Sequence, residues 1–166
     1  AYEDDDERKD VTVFYNGCPQ FDGQDYDPVY SLTGYNLRKF LVTKAVSPTY
    51  DNSPMNFPVL RYADVLLMKA EALNNQNKPT EAEVPLNLVR SRAGLPAITG
   101  KTQTEMKDII LHERRMELAF EGQRWFDLIR ADNGQWGLNF LHSIGKLNAS
   151  EKHLLFPVPL KEIESN

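Results

Sequence analysis

The segment His112–Arg130, HERRMELAFEGQRWFDLIR, places Glu113, Glu117 and Glu121 at successive four-residue steps. On a helix this stacks like charges one turn apart, at a cost of about 0.2–0.5 kcal/mol per pair. At 100° per residue, Met106, Ile109, Ile110, Met116 and Phe120 fall within an arc of ~120°. Glu113 and Glu117 project into that arc and Glu121 lies at its edge. The three carboxylates therefore face the core, where each must be paired or take up a proton.

Arginine is supplied by the flanking segments: Arg90 and Arg92 before this helix, Arg124 and Arg130 after it. Its planar fork bonds a carboxylate bidentately, which an ammonium does not. The pattern predicts a structural ion-pair network of Arg90, Arg92, Glu113, Glu117, Glu121, Arg124 and Arg130. The chemical alternative is a glycoside hydrolase using Glu113 and Glu117, since carboxylates one turn apart approach the ~5–5.5 Å of retaining enzymes. Arginine neighbours lower a carboxylate's pKa, whereas a general acid needs it raised, so the electrostatics oppose catalysis. HERRM begins like the zinc-protease motif, but Met116 stands where the second His belongs, and no metal site is expected.

Upstream, VLRYADVLLMKAEALNNQ (Val59–Gln76) reads as a helix apolar on two sides. Leu60, Ala63, Leu66, Leu67, Ala70 and Leu73 share one face; Val65, Met68 and Ala72 lie on another. Such a helix is packed on both sides. A second helix follows in TEAEVPLNLVRSRAG. Thr80 and Glu83 fit a capping box there, Pro85 pushes the regular start toward Val84, and Gly94 stops it. Thr102 and Glu105 form a second capping box for the glutamate-bearing helix, which is expected to reach Phe120. A short fourth helix covers about Gln123–Arg130, with Trp125 and Phe126 in the core, followed by irregular chain with marginal helix and a proline-containing tail with a final turn. The first two helices resemble a hairpin repeat of the tetratricopeptide type. One hairpin cannot bury its faces alone, so partners outside this chain are expected. A stand-alone tetratricopeptide adaptor binding a peptide is a further alternative.

Residues 1–55 differ in character. VTVFY (Val11–Tyr15) and YNLRKFLV (Tyr35–Val42) read as short strands around a loop rich in Gly, Pro, Asp and aromatics. Residues 1–55 hold ten acidic and five basic residues and residues 56–166 fourteen of each, so the net charge of −5 lies wholly in the first part. This argues against nucleic acid as a partner. The domain reading is an irregular, short-strand segment over 1–55 and a helical core over 56–166. The single Cys18 excludes an internal disulfide. The opening AYEDDDERKD reads as a processed or truncated terminus. The three acids of DGQDYDP (Asp22–Pro28) lack EF-hand spacing and read as a solvated loop. Tyr26 and Tyr30 in this loop, and Trp136 in NGQWG, are candidate stacking surfaces for a sugar ring or other flat ligand.

FPVLRYADVLLMKAEALNNQNKPTEA, LNLVRSRAGLP, ILHERRMELAFEGQRWFDLIR and LLFPVPLKEIESN follow in order. Together they resemble the C-terminal part of the SusD/RagB family of nutrient-binding outer-membrane lipoproteins of Bacteroidetes. The resemblance implies a mainly α, SusD-like fold. A tetratricopeptide-type helical hairpin would be joined to a loop-rich C-terminal region with a few short strands, and the N-terminal tetratricopeptide-like part would be absent. It implies non-enzymatic capture of a glycan or oligosaccharide and delivery to a SusC-like TonB-dependent transporter, with no cofactor. It also implies a place on the outer membrane as a surface-exposed lipoprotein, anchored by an N-terminal lipid that lies outside this chain. The shared motif residues Arg90, Arg92, Glu113, Arg114, Arg115, Glu117, Glu121, Gly122 and Arg124 then read as architectural.

Overall fold

The computed structural model describes residues 1–49 and 53–165, Tyr30 by its backbone alone. The chain forms two compact units, Ala1–Gly122 and Gln123–Asn166. It is mainly helical, with one two-stranded sheet.

The first unit opens on α1 (Arg8–Thr12), which runs into β1 (Val13–Tyr15). β1 pairs antiparallel with β2 (Tyr35–Leu37) in the register Val13↔Leu37, Phe14↔Asn36, Tyr15↔Tyr35. Both strands are shorter than their sequence patterns predict. Val11 and Thr12 are helical, because Asp6 starts a turn: its carboxylate accepts from Arg8 N (3.0 Å) and its carbonyl from Lys9 N (3.1 Å). β2 stops at Leu37 because the N–H groups of Arg38 and Lys39 both turn to Thr12 O, at 3.0 and 3.2 Å.

The loop between the strands is tied down by its own residues and by Arg38 and Lys44 just beyond β2. The Arg38 guanidinium lies over the Phe14 and Phe21 rings and donates to the carbonyls of Pro19 and Gln20. Asp22 accepts from Lys44 N (2.8 Å), Asp25 from Gln20 Nε2 (3.1 Å) and Asp27 from Val29 N (2.9 Å). The three acids read as a solvated loop are thus hydrogen-bond acceptors for the loop and for the chain that follows β2. Among the described residues, no cluster of His, Cys, Asp or Glu is arranged to hold a metal.

Three longer helices make the core. α2 (Tyr62–Asn75) and α3 (Pro79–Arg92) form a hairpin, and α4 (Gln103–Glu117) packs against both. Leu67 and Ala70 of α2, Ala82, Leu86 and Val89 of α3, and Met106 and Ile110 of α4 form one buried cluster. Each large side chain so buried contributes about 1.5–3 kcal/mol. Paired amide bonds lock the edges: Asn74 and Gln103 exchange bonds of 2.9 and 2.7 Å, and the Asn87 side chain holds the backbone of Ile98 by two of 2.8 Å. The second face of α2 is left open among the described residues: Val65, Met68 and Ala72 are exposed.

α3 begins at Pro79, earlier than the expected start near Val84. Proline at the first helical position loses no bond and has the right φ, so Pro79 nucleates the helix where Thr80 was expected to cap it. The Thr80–Glu83 box does not form, and Glu83 Oε1 instead accepts from Gly100 N at 2.7 Å. Pro85 is buried inside the helix. The Thr102–Glu105 box forms as predicted, with Glu105 N on Thr102 Oγ1 (3.3 Å) and Thr102 N on Glu105 Oε2 (2.9 Å). α4 ends at Glu117, short of Phe120, and Phe120 takes a left-handed φ of 65°. Glu121 consequently stands on the turn after the helix.

In the second unit, α5 (Arg124–Arg130) and α6 (Gln135–Ser143) are joined by a tight turn, and α7 (Leu160–Glu164) closes the described chain. The nine-residue α6 lies where marginal helix was expected. Gly134, at φ 86°, makes the turn possible: a Cβ there would stand 2.3 Å from Leu154 Cδ1. Phe126, expected in the core, is exposed. The two units divide after Gly122, whereas the composition changes near residue 55. Arg8 and Lys39, from the acidic first part, bind groups around α4 and so tie that part to the helices.

Candidate functional site

The densest array of ionised groups surrounds the end of α4. Glu113 is 0% and Glu117 3% exposed. Arg8 Nη1 lies 2.5 Å from Glu113 Oε1 and 3.0 Å from Glu117 Oε2, while its other nitrogens hold Asp6 at 2.7 and 2.8 Å. Arg90 Nη1 bridges Glu113 Oε2 (3.0 Å) and Glu3 Oε1 (2.8 Å). Arg61, the residue before α2, reaches Glu117 Oε1 (2.5 Å), the Glu117 carbonyl (2.6 Å) and Glu121 Oε2 (2.8 Å). Arg92 also pairs with Glu117. Lys39 Nζ takes Glu121 Oε1 at 2.5 Å and the Glu117 carbonyl at 2.8 Å. A separate buried pair, Asp64–Arg114 at 2.7 Å, joins α2 to α4.

The protonation states follow. Burial works to raise Glu117's pKa, but hydrogen bonds from Arg61 and Arg8 and the charges of Arg92 and Arg61 outweigh it, so the carboxyl is held below the ordinary carboxylate range. Burial opposes the charge on Arg8, yet Asp6, Glu113 and Glu117 outweigh it and shift its pKa upward. Lys39 moves the other way, because burial outweighs the attraction of Glu121. An ionised, sealed Glu117 has no proton to give a leaving group. This arrangement suits cross-linking of chain segments.

Arg90 and Arg92 meet these glutamates in the structure. Arg124 and Arg130 belong to the second unit, where Arg130 pairs with Asp127 at 2.7 Å and the Arg124 guanidinium lies over the Phe140 ring. Sequence reasoning missed Arg8, Lys39 and Arg61 as partners, together with Glu3 and Asp6. In the acidic run EDDDERKD the one signal was an arginine amid carboxylates.

The aromatic candidates separate. Tyr26 is 8% exposed, with its ring edge-on to Phe14 at 5.4 Å. So enclosed, it offers a ligand no face and serves the loop's own packing, a correction to its reading as a stacking surface. The Tyr30 side chain lies outside the described residues. Trp136 is partly exposed and lines a cleft of about 340 Å³ with Arg124, Leu128, Asn139, Phe140 and Ser143. A second cleft of about 510 Å³ includes Trp125, Leu141, Lys146, Asn148 and His153 in its wall.

The sequence model of the SusD family matches residues 1–166. "SusD-like protein P38" of Formosa agariphila is 34% identical over 131 residues, covering 73% of this chain and 24% of the relative. "SusD-like protein P2" of the same organism is 37% identical over 125 residues, covering 69% and 25%. A crystal structure of a SusD superfamily protein from Bacteroides vulgatus superposes with a TM-score of 0.71 at 27% identity, over 97% of this chain and 38% of that one. A SusD-like protein from Bacteroides fragilis gives a TM-score of 0.63 at 28% identity, covering 76% and 28%. The chain belongs to the SusD family. It spans about a quarter of the length of these two curated relatives. Among the described residues, no helix is long and apolar enough to cross a membrane.

Proposed function

We propose that this chain is the C-terminal part of a surface glycan-binding protein that captures oligosaccharide without turnover and passes it to a SusC-like TonB-dependent transporter. The observation that carries this reading is the match of the SusD family along the whole chain. The full-length protein would be held on the outer membrane by a lipid at its N-terminus. The buried glutamates support a binding role over a hydrolytic one, since Glu113 and Glu117 are both engaged by arginine. Trp136 supplies an apolar ring beside the guanidinium of Arg124, the amide of Asn139 and the hydroxyl of Ser143, a combination that suits a sugar's apolar face and polar rim.

The test is calorimetry of the full-length protein against a panel of oligosaccharides, with reducing-end release followed in parallel. The expected result is saturable binding, at least tenfold weaker in Trp136→Ala, with no release of sugar. Hydrolysis abolished by Glu117→Gln overturns the reading in favour of a glycosidase. Co-purification of the full-length protein with its transporter tests the handover.

A further inference from the structure

The larger cleft of the second unit, about 510 Å³, is not used by the reading above. Its volume lies in the range of small-molecule sites, roughly 300–1,000 Å³. All of its wall comes from that unit. Turns hold its shape. Gly145, at φ 82°, reverses the chain after α6, Lys146 N donates to Leu141 O (2.9 Å) and Ala149 N to Lys146 O (3.0 Å). The His142 ring reaches the Ala149 carbonyl at 3.0 Å. Leu141 and Leu147 supply the apolar part of the wall, beside Trp125.

The polar groups of the wall are mostly donors. Lys146 brings an ammonium and Asn148 an amide. Ser150 N donates to His153 Nδ1 at 2.9 Å, which makes Nδ1 the acceptor and puts the ring hydrogen on Nε2. Trp125 Nε1 is buried, and no group among the described residues accepts its hydrogen. No carboxylate is among the lining residues. Of the nearby acids, Asp127 is taken by Arg130 at 2.7 Å and Glu151 stands exposed outside the wall.

We propose that this cleft binds an acidic sugar, one carrying a carboxylate or a sulfate, with the anion on Lys146, Asn148 and His153 and the ring against Trp125 and the leucines. The inference rests on the glycan-binding reading and deepens it. A carboxylate or sulfate only accepts hydrogen bonds, so it matches a wall of donors. The hydroxyls of a neutral sugar bring hydrogens that find few acceptors here, and a metal cation finds no carboxylate. The apolar part of the wall favours a sugar ring over a bare inorganic anion.

The test is nuclear magnetic resonance of the full-length protein, isotope-labelled in tryptophan, following the Trp125 indole N–H as assigned through Trp125→Phe. The probes are glucuronate, a glucose sulfate ester and glucose, which share one ring and differ in charge. The expected result is a saturable shift with glucuronate or the sulfate ester at roughly a tenth, or less, of the concentration glucose needs. The acid that acts at the lower concentration tells carboxylate from sulfate. Lys146→Gln, in an exposed residue, is expected to abolish the preference and leave the melting temperature unchanged. An equal response to glucose overturns the proposal. So does a preference for the acids that survives Lys146→Gln, and so does a Trp125 signal that no probe moves. Oligosaccharide bound through Trp136 in the calorimetry, with Trp125 silent, sinks this inference alone; no binding at either cleft sinks both.

Discussion

A single nitrogen of Arg8, Nη1, lies between Glu113 Oε1 and Glu117 Oε2, joining the first turn of the chain to carboxylates 105 and 109 residues away. Its remaining nitrogens are held by Asp6. The guanidinium therefore ties the N-terminal segment to α4 and compensates two acids that face the core.

Removing it leaves the buried Asp6 without its cation and takes one of several partners from Glu113 and Glu117. Arg8→Ala is expected to cost about 3–5 kcal/mol, the range for leaving a buried charge without its partner. Urea denaturation checks this against Glu164→Ala, in an exposed residue of α7, which is expected within about 0.5 kcal/mol of the parent. Equal effects would mean that the pairing carries no net energy.

Stability is expected to fall in acid through Glu117. Its native pKa lies below the reference of 4.5. The unfolded state therefore binds the proton first as pH drops, and the stabilisation present above pH 4.5 is lost as pH falls through the lower native value. Glu117→Gln is less stable at neutral pH, and its deficit against the parent shrinks toward acid. Denaturation midpoints between pH 3 and 7 show the convergence; a constant gap contradicts it.

The two threonines with capping-box spacing make opposite predictions. Thr102→Ala removes the acceptor for Glu105 N and is expected to cost about 1 kcal/mol. Thr80 lies inside α3, beyond its cap, so Thr80→Ala is expected to be neutral or slightly stabilising because alanine is the better helix former. Thermal denaturation of both variants decides it, and similar losses would place the start of α3 elsewhere.

Gly134→Ala forces a side chain into a left-handed backbone and toward Leu154. The backbone part alone costs about 1–2 kcal/mol. Gly145 has the same hand of φ with open space around it, so Gly145→Ala is expected to be the milder change. Hydrogen exchange across α5 and α6 measures the difference.

The helices were legible because their signals are local: the Thr102–Glu105 cap, the left-handed stop at Gly94, and the apolar spacing of Leu67, Ala70, Leu86, Met106 and Ile110 are all read within a few residues. α2 was read as packed on both sides, and among the described residues its Val65–Met68–Ala72 side is exposed. The core-facing row of glutamates was visible, but only part of its company was. Arg8, Lys39 and Arg61 are brought to it by tertiary folding, and a charged residue in an acidic run looks no different from a solvated one. α4 was read about three residues too long, because a turn with Phe120 in a left-handed conformation leaves no mark at Phe120 itself. Tyr26 shows the same limit, since a tyrosine that seals a loop and one that stacks on a ligand are spelled alike.

The span between Arg8 and Glu113 also sets an order of events during biosynthesis. At roughly 5–20 residues per second, the ribosome adds the 105 positions from Arg8 on to Glu113 in about 5–20 s. Throughout that interval the guanidinium waits without its distant acids. α2 and α3 are both synthesised before the glutamates of α4, so the ionic clasp is the last of these contacts whose parts exist.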